Sequence, residues 1–218
     1  MYQLTKELFF PDPSIADAEG LLAIGGDLSV ERLLLAYRMG IFPWYNENEP
    51  ILWWSPDPRC VLFPEKLKIS KSMKPIINQG KFRFTMNRAF DDVITRCKTI
   101  HRKDGLGTWI NQDIIDAYAQ LHIIGNAISA EAWHDGQLVG GLYGVRIGRI
   151  FYGESMFSIM PNASKFAFIQ MVQRLKQEGL YMIDCQIKSE HLISFGAELI
   201  TRNSFCKILS DYTVSKIS

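Results

Sequence analysis

The sequence predicts a mixed α/β (α+β) protein in two parts: a small irregular N-terminal domain, rich in Trp and Pro, over residues 1–62, and a larger domain over 63–218. Three observations carry this reading. Pro11, Pro13, Pro43, Pro50, Pro56 and Pro58 interrupt the first part, whose aromatic residues gather around Trp44, Trp53 and Trp54. Beyond Val61 come β-prone runs separated by turn residues, Asp135-Gly136 and Gly148. A helix-period segment then separates two further β-prone runs, and strand, helix, strand is most simply a crossover between parallel strands.

Element by element, Ser29 can cap a helix over Val30 to Met39, with Leu33, Leu34, Ala36 and Tyr37 as its apolar stripe and Gly40 as its stop. Helices are expected over Asn87 to Cys97 and Asn111 to Ile124, the second closed by Gly125. Strands over Ala127 to Trp133, Gln137 to Val145 and Arg149 to Ser155 read as an antiparallel meander. Asn162 or Ser164 can cap a helix that runs to Gln177, where Phe166, Ile169, Met171, Val172 and Leu175 recur near the helical period and Gly179 ends it. A strand after Tyr181, a short helix over Ser189 to Phe195, a strand over Ala197 to Ile200 and a terminal helix complete the chain.

Composition narrows the function. With 218 residues, 47% hydrophobic and 22% charged, the chain can bury a sizeable core and is not disordered. A net charge of +1 means that any nucleic-acid contact must come from a local patch. Cys60, Cys97, Cys185 and Cys206 form no CxxC pair and the histidines no HxH or HxxxH, so neither a metal site nor a disulfide framework is indicated, and reduced cytosolic thiols are the default. Met1 to Phe10 does not read as a signal peptide, and no apolar stretch is long enough to cross a bilayer.

The chemistry is concentrated in two runs, Tyr152-Gly153-Glu154-Ser155-Met156-Phe157-Ser158 and Ile183-Asp184-Cys185-Gln186. Each sets a carboxylate among apolar β-formers, where burying an ionised group is costly without a partner or a task. Residues two apart in a strand share a face, so Asp184 and Gln186 project together, and on adjacent strands they converge with Glu154. Acidic residues at strand ends can also be solvated or paired with Arg and Lys. Two carboxylates and an amide on facing strands favour a functional site. Trp44, in a Pro-stiffened loop, can serve as a stacking platform for a base, whereas Trp53 and Trp54 read as core.

A meander feeding a strand-helix-strand crossover is the order of a GNAT-type acyltransferase domain, an analogy of fold alone. The glycine-rich loop that would hold the pyrophosphate of coenzyme A is missing, since the candidate helix opens Met160-Pro161-Asn162-Ala163-Ser164-Lys165. An acyl donor other than a CoA thioester is therefore expected. Longer runs identify a family: Gly25-Gly26-Asp27-Leu28, Gly40-Ile41-Phe42-Pro43-Trp44, Trp53-Trp54-Ser55-Pro56-Asp57-Pro58-Arg59, Gly107-Thr108-Trp109-Ile110, Gly140-Gly141-Leu142-Tyr143-Gly144, Gly153 to Ser158 and Asp184-Cys185-Gln186. Together they resemble the bacterial leucyl/phenylalanyl-tRNA-protein transferases over nearly the whole chain.

The resemblance implies a GNAT-like C-terminal acyltransferase domain and a reaction. Leu or Phe, with Met as an open third, passes from aminoacyl-tRNA to the α-amino group of proteins with N-terminal Lys or Arg, marking them for N-end-rule degradation. It implies a cytoplasmic monomer with no cofactor and no membrane, because the aminoacyl ester is already activated. Glu154, Asp184 and Gln186 fall on the family's reactive site. Trp44 and Trp109 would flank the terminal adenosine, and Leu142, Phe151, Met156 and Met171 would shape the donor's side-chain pocket. Asp184 would orient and polarise Gln186, whose carbonyl accepts from the attacking amine, while Glu154 holds the donor's amino group or helps move the proton. Glu154, Glu131 and Asp184 are candidates for selecting the basic acceptor. Lys66, Lys68, Lys71, Lys74, Lys81 and Arg83, with Arg59 beside them, form a basic run suited to tRNA phosphates, and Arg59, Lys68, Lys71, Lys74 and Arg83 are the expected contacts.

Departures from the family text are specific. Ile128 stands where the family often has His, and Lys68 where it has another. Leu142 and Met171 stand where Met and Phe are usual, so the order of preference among Leu, Phe and Met stays open. Three rivals remain: a CoA-dependent GNAT enzyme, which the missing loop disfavours; a noncatalytic adaptor for protein N-termini; and a transferase for another aminoacyl-tRNA, such as arginyl, which an apolar pocket disfavours.

Overall fold

The structure, a computed structural model, describes residues 1–99 and 109–213. The described residues form two sheets. The smaller has the order β1 (Tyr2–Leu4), β2 (Leu21–Gly25), β4 (Leu52–Trp54), β3 (Phe42–Pro43), with α1 (Val30–Arg38) between β2 and β3 in the chain. Sequence alone suggests only the helix here, because strands of two to five residues offer no alternation to read. Trp53 is fully buried, donates its indole N–H to the carbonyl of Gly25 at 2.8 Å and meets Phe10 edge-on.

The larger sheet has seven strands in the order β11 (Glu198–Ile200), β5 (Arg59–Leu62), β10 (Met182–Gln186), β9 (Ile150–Ser158), β8 (Gln137–Ile147), β7 (Ala127–His134), β6 (Arg83–Met86). β7, β8 and β9 are the expected antiparallel meander. β10 then joins β9 in parallel after the crossover helix α5 (Ala163–Gln177). β5, which sequence pattern groups with the N-terminal part, lies between β11 and β10. The change of sheet therefore falls between Trp54 and Arg59, before residue 62. All four residues of β5 are buried, so no polar alternation marks it as a strand.

The faces of this sheet carry different layers. Phe166, Ile169, Met171 and Val172 of α5 pack with Ala130, Leu142 and Phe151 on one side. Tyr37 of α1, Val93 and Ile94 of α3 (Phe90–Thr99) and Tyr118 of α4 (Gln112–Ile123) pack with Tyr143, Val145 and Phe157 in the other cluster. α2 (Met73–Asn78), α6 (Glu190–Ser194) and α7 (Arg202–Tyr212) are the remaining α-helices among the described residues. Two glycines permit close approaches. A Cβ on Gly140 would lie 2.6 Å from the Cβ of Ala163 where α5 begins, and one on Gly40 would lie 2.8 Å from the Phe205 ring of α7.

Helix starts follow the sequence with three corrections, the first being that Ser29 precedes α1 but makes no side-chain cap bond. Asn111 caps α4 as its position suggests, accepting from the N–H of Ile114 at 3.0 Å. Asn162 precedes α5 in the left-handed region (φ 71°) with no side-chain cap bond, and Ser158 Oγ from the end of β9 instead accepts from the N–H of Ser164. α3 starts at Phe90 and not at Asn87, because the Asn87 side chain accepts from the N–H of Ser129 across to β7.

Candidate active site

β9 and β10 are paired only as far as Tyr152 opposite Asp184. Beyond that, β9 continues through Gly153 to Ser158, while the pairing of β10 with β5 becomes irregular between Asp184 and Gln186. Gln186 itself takes a left-handed backbone (φ 60°). That conformation is uncommon outside Gly and Asn and persists where surroundings impose it. It turns the Gln186 amide onto Glu154, to whose Oε1 the Nε2 donates at 3.2 Å.

Glu154 is held by two phenols. The Tyr37 hydroxyl, from α1, lies 2.6 Å from Oε1, the Tyr118 hydroxyl, from α4, lies 3.1 Å from Oε2, and the two hydroxyls also contact each other, so their two protons are shared among three contacts and a neutral Glu154 supplies the third. Burial pushes the Glu154 carboxyl up from its ordinary value to about 7. The Tyr hydrogen bonds oppose that rise, and the charge of Asp184 adds to it. Both phenols are held well above their usual range, by burial first and the neighbouring Glu154 charge second, so they remain donors. Sequence pattern places Tyr37 only in an apolar stripe and does not single out Tyr118. The available signal is that a Tyr on a buried face needs a partner for its hydroxyl.

Asp184 is fully buried and forms a two-pronged ion pair with Arg59, Nε to Oδ1 at 2.8 Å and Nη2 to Oδ2 at 2.7 Å. Oδ1 also accepts from the backbone N–H of Gln186 at 2.9 Å. Asp184 therefore meets Gln186 through the backbone and not through the side-chain amide. Arg59, at 1% exposure, cannot reach a phosphate, which corrects its assignment as a tRNA contact. Lys68, Lys71, Lys74 and Arg83 are exposed, with the Arg83 guanidinium over the Trp133 ring, while Lys66 pairs with Glu198. Glu131 is fully buried against Ser129 Oγ, Thr85 Oγ1 and the N–H of Arg88, which removes it as a selector of acceptors.

Two cavities meet at this cluster. One, of about 300 Å³, is lined by Leu142, Phe151, Met156, Phe168, Ile183 and Leu192, with Ser189 and His191 in its wall. Burial, then the nearby Lys165 charge, holds the His191 imidazole below its ordinary value. The other, of about 150 Å³, is lined by Phe42, Pro43, Trp44, Trp109 and Ile187. Glu154 and Gln186 line both. Trp44 is 42% exposed, and Trp109 is half-buried, while Gly107 and Thr108 of its motif lie outside the described residues. Met171 lines neither cavity: it is fully buried in the α5 core, and Phe168 is the α5 residue that reaches the larger cavity. The helical period names an apolar face but not which member of it borders a cavity.

Among the described residues no group of three or more His, Cys, Asp or Glu side chains is placed to hold a metal ion, and no helix is long and apolar enough to cross a membrane. The arrangement suits acyl transfer: an apolar cavity and an aromatic cavity meet at a carboxyl near neutrality and an amide.

Comparison with known proteins decides the family. Residues 61–210 match the model described as leucyl/phenylalanyl-tRNA protein transferase, and residues 26–57 match that of its N-terminal domain. This chain belongs to the leucyl/phenylalanyl-tRNA protein transferase family. It is 53% identical to the leucyl/phenylalanyl-tRNA–protein transferase of Syntrophobacter fumaroxidans, over 97% of this chain and 90% of that one. It is 55% identical to that of Flavobacterium johnsoniae, over 96% and 99% of the two chains. Among solved structures it is similar to a GCN5-related N-acetyltransferase-like protein from Streptococcus suis, with a TM-score of 0.40 and 12% identity over 74% of this chain and 60% of that one. By its family the chain is an aminoacyltransferase, and its larger sheet has the expected order of meander and crossover.

Proposed function

We propose that this transferase moves Leu or Phe from aminoacyl-tRNA to the α-amino group of proteins that begin with Lys or Arg, with the reacting ester held beside Glu154 and Gln186. The observation that carries this reading is the junction of the two cavities at those two residues. A donor's apolar side chain suits the larger cavity, its terminal adenosine suits the space between Trp44 and Trp109, and the ester joining them then lies at the junction. An apolar pocket with Met156 and flat aromatic walls selects by shape, worth about 1–3 kcal/mol per methylene-sized difference.

The ester is already activated, so the enzyme's task is alignment, desolvation and proton movement. The acceptor nitrogen attacks the ester carbonyl carbon, the C–N bond forms and the bond to the ribose 3′ oxygen breaks. The amine proton leaves and a proton reaches the departing oxygen. Gln186 donates Nε2 to Glu154, which leaves its Oε1 to accept from the incoming amine. Ionised Glu154 receives the amine proton or holds the donor's own amino group, with Tyr37 and Tyr118 fixing its two oxygens. Exposed Lys68, Lys71, Lys74 and Arg83 supply phosphate contacts to the tRNA. We place the enzyme in the cytoplasm, as a monomer.

The test is transfer of labelled Leu, Phe, Met and Arg from charged tRNA to peptides beginning with Lys, Arg or Glu, without ATP. Product from Leu and Phe on the Lys and Arg peptides is expected. No transfer from either donor would refute the reading.

A further inference from the structure

Arg59 makes more directed contacts than a surface basic residue could. Its guanidinium lies over the ring of Phe42 at 4.8 Å and over that of Phe205 at 4.6 Å. Nε and Nη2 grip Asp184, and Nη1 donates to the carbonyl of Gly40 at 3.0 Å. We propose that Arg59 is a positioning residue for the reaction, setting Gln186 through Asp184 and Glu154 through the end of α1, and that Asp184 stays paired with it throughout turnover without exchanging a proton with substrate.

Both ends of the argument are geometric. Asp184 Oδ1 is shared between Arg59 Nε and the Gln186 N–H, and Oδ2 is taken by Nη2, so a buried cation holds both oxygens of the carboxylate, whereas the partners of Glu154 are neutral. The Gln186 N–H bond is what an unfavourable left-handed residue needs to stay where it is. Released, Gln186 would relax towards extended backbone, and its amide would leave Glu154. At the other end, Gly40 directly follows the C-terminal turn of α1, three residues after Tyr37, whose hydroxyl holds Glu154 Oε1. One planar fork therefore fixes both partners of the Gln186–Glu154 bond. A Lys carries the same charge but cannot satisfy Asp184 twice and Gly40 once from a fixed plane.

The inference rests on the assignment of Glu154 and Gln186 to the reacting ester, and the experiment separates the two. kcat and KM for Leu-tRNA and Phe-tRNA with a Lys peptide are measured for Arg59→Lys, Asp184→Asn and Gln186→Ala of the full chain, with a thermal melt of each. Arg59→Lys is expected to lower kcat by about tenfold or more while KM for charged tRNA stays within about threefold, the pattern of lost transition-state alignment. Asp184→Asn keeps an oxygen for the Gln186 N–H. It is expected to lower kcat by roughly three- to tenfold and to retain an acidic limb, moved to lower pH because the Asp184 charge no longer helps hold the Glu154 carboxyl up. Wild-type kcat in Arg59→Lys would overturn the role of Arg59, and loss of the acidic limb in Asp184→Asn would show that Asp184 does exchange a proton. Undiminished kcat in Gln186→Ala would remove the site assignment and the inference with it. A loss there beside an intact Arg59→Lys would overturn the inference alone. Should Arg59→Lys fail to fold, the acidic limb of Asp184→Asn decides.

Discussion

Gln186 Nε2 and the Tyr37 hydroxyl donate to the same oxygen of Glu154, at 3.2 and 2.6 Å. An amide from β10 and a phenol from α1 thus hold one carboxylate oxygen between them, and Tyr118 holds the other. Donors on both oxygens favour the ionised form, while burial favours the neutral one, and the balance leaves the group titrating at about pH 7.

The first consequence is a pH-dependent rate. If ionised Glu154 takes the amine proton or holds the donor's ammonium, kcat rises with pH through about 7, where the group loses its proton. Glu154→Gln keeps the shape and the Tyr contacts, so it should bind charged tRNA while kcat falls by about 10²- to 10⁴-fold, the usual range for a lost proton-transfer group. The acidic limb should go with it. Single-turnover transfer measured from pH 5.5 to 9, spanning about 1.5 to 2 units on either side of neutrality, is the check.

The same group makes stability depend on pH in the opposite sense. Glu154 is raised from 4.5 to about 7 in the folded chain, so the folded state holds its proton more tightly than the unfolded one does. Its contribution to stability is full below about pH 4.5 and is lost as the pH rises through 7, at about 1.4 kcal/mol per pH unit within that window. Glu154→Gln should therefore melt higher than wild type at pH 8, by about 2–4 °C per kcal/mol recovered, and close to it at pH 5. Thermal melts at the two pH values test this, and an equal shift at both would contradict it.

Sequence pattern finds elements whose determinants are local better than it finds their caps. The Asp135-Gly136 turn and the helices after Asn111 and Ser189 lie where local signals put them, whereas Ser29 and Asn162 make no cap bond. Glu154 and Gln186 stand out because a carboxylate and an amide are conspicuous on apolar strands. Their partners are hidden by distance along the chain: Tyr37 is 117 residues from Glu154 and Arg59 is 125 from Asp184. Arg59 looks like part of a basic run because Lys66 and Lys68 follow it, and only the approach of β10 to β5 shows that its charge is already matched.

The larger cavity should set the donor, and two residues separate packing from selection. Leu142 borders the cavity and Met171 does not, although both are buried. Leu142→Ala enlarges the pocket and should raise the preference for Phe over Leu by about 1–3 kcal/mol. Met171→Ala should cost about 2–5 kcal/mol of stability and leave that preference unchanged. Competition between Leu-tRNA and Phe-tRNA for one peptide, alongside denaturant titration, reads both quantities.

Charge on the surface predicts a salt effect that Arg59 does not share. Lys71 and Lys74 are exposed at the start of α2, and exposed Lys68 precedes them in the sequence. If they meet tRNA phosphates, each releases condensed counterions, and the slope of log(kcat/KM) against log salt is negative. Replacing Lys71 and Lys74 together by Gln should flatten that slope by roughly one unit for each phosphate left without its lysine, with kcat at saturating tRNA unchanged. Arg59→Lys should leave the slope as it is, because its charge is paired inside the protein with the carboxylate of Asp184. A salt slope insensitive to the two Lys changes would move the tRNA-binding surface to another face.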